Sequence, residues 1–237
     1  MSHGKHFTLF SSVRAPNGWK VANVLNALGL SFEPIFLEIG GNTSDSDSHV
    51  KGPLHTKYNP NGRIPTLIDH KNNDFVLWES GAIYLYLIDK YDTEHKFSFS
   101  TPEERAQLTQ WLFFQASGQG PYLGQASWFL RYHPEKVPSA IERYQNETRR
   151  ILGVLESVLS KQEWLVGGKL TVADMIFVNY NKFLNFILGD DFDFAKEFPA
   201  TFAWHTKVSE SEGVKKTFEQ QAKALAAQEE KEKAAKA

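Results

Sequence analysis

The chain has 237 residues, 41% of them hydrophobic and 23% charged, with a formal net charge of −2 and no cysteine. That length allows two modest cores, and a near-balanced charge without a Lys/Arg stripe argues against a nucleic-acid partner. Without cysteine there are no disulfides, thiolate metal ligands or protein thiol nucleophiles, so thiol chemistry has to be carried by a bound cofactor and no metal site is expected. The apolar runs are too short to cross a bilayer, and the opening Met-Ser-His-Gly-Lys-His holds no apolar signal core. No membrane partner is expected, and the expected compartment is cytoplasmic.

Residues 7–10, Phe-Thr-Leu-Phe, read as a strand. Residues 16–28 carry Val21, Val24, Leu25 and Leu28 in helical spacing, and residues 33–38 return as a strand, which makes a βαβ unit. Residues 40–49 are a polar low-complexity insertion, readable as a surface loop or as a lid over a ligand site.

Residues 59–82 are the most informative stretch. The turn Arg63-Ile64-Pro65 leads into a strand at 66–69, a polar hairpin turn Lys71-Asn72-Asn73-Asp74, a strand at 75–78, and Glu79-Ser80-Gly81 opening a helix to residue 91. The order βαβ–ββα predicts a small mixed sheet flanked by helices. Pro65 biases Ile64 toward an extended backbone, whose N–H and C=O can pair with a peptide-like ligand as an added strand. The free amides at the start of the next helix, with the Ser80 hydroxyl, form a seat for a carboxylate. Together they predict a small acidic peptide as ligand. Taken alone, Glu79 is also simply a favourable charge for a helix start.

Residues 92–100 are the candidate linker, although Phe97 and Phe99 favour a packed connection. From Thr101-Pro102-Glu103-Glu104 onward the strand signals stop and the chain reads as all-helical. An aromatic stretch holds Trp111, Phe113 and Phe114, a further helix covers 139–159, and Thr171-Val172-Ala173-Asp174 has capping-box spacing. From about residue 219, a composition of Ala, Gln, Glu and Lys predicts a frayed helix or tail. The predicted domains are 1–92 and 93–237.

With Arg63-Ile64-Pro65, Glu79-Ser80 and Leu170-Thr171-Val172-Ala173-Asp174 in place, the chain resembles a cytosolic glutathione transferase over essentially its whole length. Residues 15–21 (Ala-Pro-Asn-Gly-Trp-Lys-Val) and 111–118 (Trp-Leu-Phe-Phe-Gln-Ala-Ser-Gly) resemble the fungal nitrogen-catabolite-regulator branch, which is related to the bacterial Nu class. Glu142-Arg143-Tyr144 and Trp164-Leu165-Val166-Gly167 extend the likeness. The implied fold is an α/β thioredoxin-like N-terminal domain plus an all-α C-terminal domain. The implied cofactor is glutathione, reduced or as its disulfide.

By matched position, Ile64 pairs its backbone with the cysteinyl unit, with Pro65 cis, while Glu79 and Ser80 hold the γ-glutamyl end. His49 falls at the glycine end, one residue farther from Pro53 than the family's histidine. Arg14 lies beside the expected sulfur site, readable as a ligand contact or as a solvated surface cation. The resemblance makes Asn17 the donor to the glutathione thiolate; such a donor lowers the thiol pKa and so raises the fraction of nucleophile. Locally, Asn17 also suits a turn or a helix cap between Pro16 and Gly18, and Ser11 and Ser12 are rival donors. Ala15 stands where bacterial relatives often carry threonine, which removes one further donor.

The second substrate, a small electrophile or a disulfide, is expected against Tyr122, Trp128, Arg131 and Tyr132; the aromatic members also suit a core, and Arg131 is the better match to an anionic group. The implied activity is glutathione-dependent transfer with disulfide-bond reductase chemistry, in a homodimer whose apolar surface lies around Trp111. The alternative is a non-catalytic regulatory module that binds a transcription factor. The short stretch before Phe7 and the direct join from Ser160 to Trp164 favour the enzyme, and a translation-complex module is a weaker third reading.

Overall fold

The structure, a computed structural model, describes residues 3–40 and 46–235. In chain order the elements are β1 (Phe7–Ser11), α1 (Pro16–Ala27), β2 (Phe32–Phe36), α2 (Pro53–Thr56), β3 (Thr66–Asp69), β4 (Phe75–Trp78), α3 (Ser80–Tyr91) and α4 (Pro102–Phe114). A π-helical turn (Gln115–Gln119), α5 (Gly120–Ser127), a second π-helical turn (Trp128–Tyr132) and α6 (Pro138–Leu159) follow. Four short helices come next: α7 (Val172–Met175), α8 (Val178–Asn181), α9 (Leu184–Leu188) and α10 (Phe194–Glu197). The chain ends in α11 (Pro199–Glu210) and α12 (Glu212–Ala234). It divides into two compact units, Met1–Tyr91 with Ser211–Ala237, and Asp92–Glu210.

The first unit is built on a four-stranded sheet of order β2-β1-β3-β4, with β1 parallel to β2 and antiparallel to β3, and β3 antiparallel to β4. Every residue of the central strands β1 and β3 is buried, whereas the edge strands are partly exposed. Phe10, Leu37, Val50 and Ile68 form one core cluster. The helices α1 and α3 pack on each other, and Val21 and Val24 of the one and Ile83 and Leu87 of the other are fully buried. In the β3–β4 turn, Asn73 and Asp74 both take φ of 54°, a left-handed conformation that Asn and Asp tolerate better than most residues.

The C-terminal segment departs from expectation. Residues 211–237 group with the sheet unit and not with the helical one, and α12 is a regular 23-residue helix packed along α1. Its buried residues are Gly213, Val214, Thr217 and Gln221, one face that begins before residue 219. A Cβ at Gly213 would lie 2.6 Å from the Ala27 backbone, so glycine permits the close approach. Asn26 Nδ2 donates to Thr217 Oγ1 (2.9 Å) and Gln220 Oε1 (2.8 Å), which fixes the register. Half of the lid suggested for 40–49, residues 41–45, lies outside the described residues.

The second unit is all-helical. Asp92 opens it by accepting the backbone N–H groups of Lys96 (2.8 Å) and Phe97 (2.9 Å) and the Ser98 hydroxyl (2.6 Å), so the 92–100 segment is packed. Trp111 is only 8% exposed and packs on Phe114 and Phe177, so the apolar surface of this helix comes from its neighbour Phe113, 65% exposed. The capping box at Thr171 forms, and Asp174 does more than cap. Its carboxylate accepts from Leu165 N (3.0 Å), Thr171 N and Oγ1 (2.9 Å each) and Trp204 Nε1 (2.9 Å), tying α7 to α11 and to the 165–171 loop.

Removing this acceptor leaves buried donors unsatisfied, each costing about 1–3 kcal/mol. Asp174→Ala should therefore lower stability by at least about 3 kcal/mol, read as a shifted urea midpoint.

Three histidines whose pKa values are lowered by burial contribute to the pH response. These are His6 and His55 in the first unit and His205 in the second, the last pushed down to about 4. Below pH 6.5 the unfolded chain binds protons that the folded chain refuses, so stability should fall as pH drops from 6.5 toward 4. Urea midpoints measured across that window should decline, and His205→Gln should flatten part of the decline.

Candidate active site

Helix α1 starts close to the end of β1. Pro16 is its first residue, and Ala15, with an extended backbone, is its N-cap. Asn17 is thus inside the helix at its second position, half-buried, and does not serve as the cap. Trp19 Nε1 donates to Val13 O (2.9 Å), pinning the loop between strand and helix. Behind Asn17 the packing is extreme: a Cβ at Gly18 would lie 1.9 Å from Ser11 Oγ and 2.6 Å from Ser11 Cβ. Ser11 is 2% exposed and Ser12 9%. Both rival donors are buried, and Ser11 is sealed under α1.

The Ile64 turn is held by a buried polar relay. His55 Nδ1 donates to Val50 O (2.7 Å), and its Nε2 pairs with Thr66 Oγ1 (2.9 Å). Thr66 Oγ1 also accepts from Asn59 Nδ2, which donates in addition to Arg63 O (2.7 Å). His55 and Asn59 are 0% and 1% exposed, and the relay fixes the backbone on both sides of Ile64. The Ile64-Pro65 peptide is cis. Among the described residues, neither the N–H nor the C=O of Ile64 takes part in a hydrogen bond, so both remain available to an extended peptide.

At the start of α3, exposed Glu79 has a left-handed backbone, φ 71°, and its C=O accepts Ile83 N–H (2.9 Å). A non-glycine residue held there is a strained position of the kind that clusters at ligand sites. Ser80 follows, 8% exposed, and a Cβ at Gly81 would meet nothing within 4 Å, leaving open space at the first turn. Beneath lies Lys20 on α1, 2% exposed. Burial pushes its pKa down to about 7, against an upward pull from the Glu79 charge. The sequence carries a sign of this burial: Lys20 sits four residues before Val24, one helical turn away, inside the continuous buried run of α1 from Gly18 to Leu25.

Two expected ligand contacts are engaged within the chain. His49 is 2% exposed; its Nδ1 accepts Lys51 N–H (3.1 Å), leaving Nε2 to donate to Gly40 O (3.1 Å). Arg14 Nη2 reaches Glu232 Oε2 of α12 at 3.0 Å. In the helical unit, the π-helical turn collects Trp128, Arg131 and Tyr132. Trp128 and Tyr132 are 47% and 60% exposed, with ring centroids 6.1 Å apart, and the Arg131 guanidinium is 5.7 Å from the Tyr132 ring centroid. Tyr122 instead packs with Tyr144 (6.2 Å) against the core cluster around Leu123 and Ile151. Among the described residues no group of three or more His, Asp or Glu side chains is arranged to hold a metal.

Family models place residues 5–89 in the glutathione S-transferase N-terminal domain and residues 125–221 in the C-terminal domain. Glutathione S-transferase 1 of Schizosaccharomyces pombe is 46% identical over 230 residues, covering 92% of this chain and 98% of that protein. The chain belongs to the glutathione S-transferase family. Within it, the likeness runs to Ure2-type members. The structure of the glutathione transferase URE2P8 from Phanerochaete chrysosporium, solved with oxidized glutathione, superposes with a TM-score of 0.89 at 47% identity, covering 95% of this chain and 99% of that one. URE2P6 from the same fungus, also in complex with oxidized glutathione, gives 0.88 at 56% identity, covering 94% and 99%.

The Gly18 contact is directly testable in this transferase. Overpacking a tight site costs about 1–3 kcal/mol. Gly18→Ala should destabilise by that amount, and Ser11→Gly in the same chain should restore most of the loss, a coupling that a double-mutant cycle of denaturation free energies measures.

Proposed function

We propose that this glutathione transferase binds glutathione in the first unit and uses it mainly as a reductant of disulfides, with conjugation of small electrophiles as a second outcome. The observation that carries the binding assignment is the unengaged Ile64 backbone, held by its own buried relay in the same unit as the strained Glu79-Ser80 junction. In this reading Ile64 pairs with the cysteinyl unit. Ser80 and the first amides of α3 take the γ-glutamyl carboxylate, and Glu79 takes the γ-glutamyl ammonium. Oxidized glutathione in URE2P8 and URE2P6 supports a site that accommodates the disulfide form.

Asn17 is the proposed thiolate donor, a role supported by its position in the first turn of α1 and by the burial of Ser11 and Ser12. A neutral amide N–H can hydrogen-bond the thiolate without being consumed in the reaction. The thiolate attacks one sulfur of the substrate disulfide, a new S–S bond forms as the old one breaks, and the departing thiolate takes up a proton. A second glutathione then resolves the mixed disulfide, releasing the second thiol and glutathione disulfide. Every sulfur in this sequence belongs to ligand or substrate, as a chain without cysteine requires.

The exposed turn bearing Trp128, Arg131 and Tyr132 is proposed for the second substrate, with Arg131 suited to an anionic half. A homodimer is proposed too. Phe75 and Trp78 on edge strand β4 are 43% and 36% exposed, apolar area that a second copy would cover. A cytoplasmic setting suits glutathione-driven reduction.

Replacing Asn17 with Ala should slow disulfide turnover about tenfold or more, since a hydrogen bond to a charged group is worth about 1.5–3 kcal/mol. Glutathione affinity should change far less, because it is distributed over the whole tripeptide. Glu79→Ala combined with Ser80→Ala should do the opposite, weakening glutathione binding severely in calorimetry. An Asn17→Ala enzyme with unchanged bound-thiol titration and unchanged rate would remove the asparagine mechanism, and unaltered affinity in the Glu79/Ser80 variant would remove the site.

A further inference from the structure

We propose that Lys20 is a positioning residue for the glutathione site, its ammonium serving as the buried counter-charge of Glu79. This role rests on the assignment of Glu79 and Ser80 to the γ-glutamyl end. Lys20 is 2% exposed and lies three residues beyond Asn17 on α1. Its helix packs against α3, whose first turn carries the junction. A lysine in that setting is unusual, since ammonium groups are almost never fully buried without a charge to answer.

The chemistry of the ligand supplies a reason. The γ-glutamyl end is a zwitterion, so its carboxylate, once seated at Ser80, lies close to the Glu79 carboxylate that receives its ammonium. Two carboxylates and one ammonium leave net negative charge in a partly desolvated site, where like charges repel strongly. A fixed cation under Glu79 offsets that repulsion and holds the Glu79 side chain toward the junction instead of leaving it a free surface rotor. The titration behaviour agrees: burial pulls the Lys20 ammonium down and the Glu79 charge holds it up. Lys20 touches no reacting atom in this scheme; it acts through Glu79.

If Lys20 were only a packing residue, an isosteric apolar side chain would serve as well or better, because replacing a buried charge with a hydrophobic group of similar volume is often neutral or stabilising. The discriminating experiment measures melting temperature, glutathione Kd by calorimetry, and kcat and KM for Lys20→Met, Glu79→Ala and the double variant. Lys20→Met should melt at or above the wild-type temperature, yet bind glutathione about tenfold more weakly, the size of one lost charge-assisted interaction. The defect should appear in KM, with kcat changed by no more than about twofold. In the Glu79→Ala background the same substitution should cost nothing more.

Wild-type affinity in Lys20→Met overturns the proposal, and so does a loss of equal size in both backgrounds, which would mean that Lys20 acts independently of Glu79. Should Lys20→Met fail to fold, Lys20→Gln replaces it, and a folded Lys20→Gln protein with wild-type affinity is equally decisive against the role. Glutathione affinity unmoved by Glu79→Ala alone overturns the underlying site assignment, a result distinguishable from the others because it does not involve Lys20.

Discussion

The close approach of α1 to the end of β1 is the constraint on which the proposed site depends. Only a hydrogen occupies the Gly18 position facing Ser11, where a Cβ would sit 1.9 Å from the hydroxyl. That missing atom lets the helix start abut the strand, and three consequences follow within a few residues. Asn17 is carried in the first helical turn, Ser11 is shut away from solvent, and Lys20 is driven inside the unit. A larger residue at 18 would lift the helix and alter all three together. Protein interiors absorb such insertions by shifting whole elements, since close-packed side chains leave little room for local adjustment.

The rest of the molecule is organised around single buried polar acceptors that gather donors from distant segments. Asp174 draws on Leu165, Thr171 and Trp204 in the helical unit. In the sheet unit, Asp69 Oδ2 accepts the Tyr86 hydroxyl (2.6 Å) and the Tyr91 hydroxyl, while Oδ1 accepts Lys71 N–H (3.0 Å) and lies 3.2 Å from His6 Nε2. Burial alone would raise the Asp69 pKa, but the hydrogen bonds from Tyr86, Tyr91 and Lys71 N–H, with the His6 charge, together more than offset it and the net shift is downward. Such hubs are costly when half-satisfied and rigidifying when complete. Beside Ile64, the Thr66 hydroxyl links two further buried groups, accepting from Asn59 Nδ2 and donating to His55 Nε2. The backbone available to a peptide is therefore presented from a fixed frame.

What was legible in the sequence was local. The hairpin turn, the proline turn at Ile64 and the helix start at Ser80 all announce themselves within about twenty residues, because proline, asparagine and serine act on neighbouring backbone. The capping box at Thr171 is legible for the same reason. Docking of α12 on α1 was not. Its composition from 219 onward signals solvent, and its buried face is made of Gly213, Val214, Thr217 and Gln221, mostly small or polar residues whose partners lie about two hundred positions earlier. Nor does a periodic pattern reveal that Trp111 turns inward while Phe113 turns out, since both are aromatic and only the neighbours Phe114 and Phe177 decide. The engagements of His49 and Arg14 are of this kind too, set by tertiary partners at Gly40 and Glu232.

Where the sulfur comes from then shapes the proposed chemistry. A protein nucleophile is fixed by its backbone, and its pKa can be tuned by the immediate fold; a ligand thiol has to be located by binding before it can be activated. The peptide-pairing backbone at Ile64 and the charged junction at Glu79 supply that location in this reading, leaving Asn17 a single task at the sulfur itself. A neutral donor suits that task, because it favours the thiolate without forming the tight ion pair that would hold a spent thiolate in the site. The same division explains why a buried cation such as Lys20 belongs near the junction and one step removed from the sulfur. There it strengthens the grip on the part of the ligand that does not react, and the nucleophile keeps the freedom to leave as a disulfide.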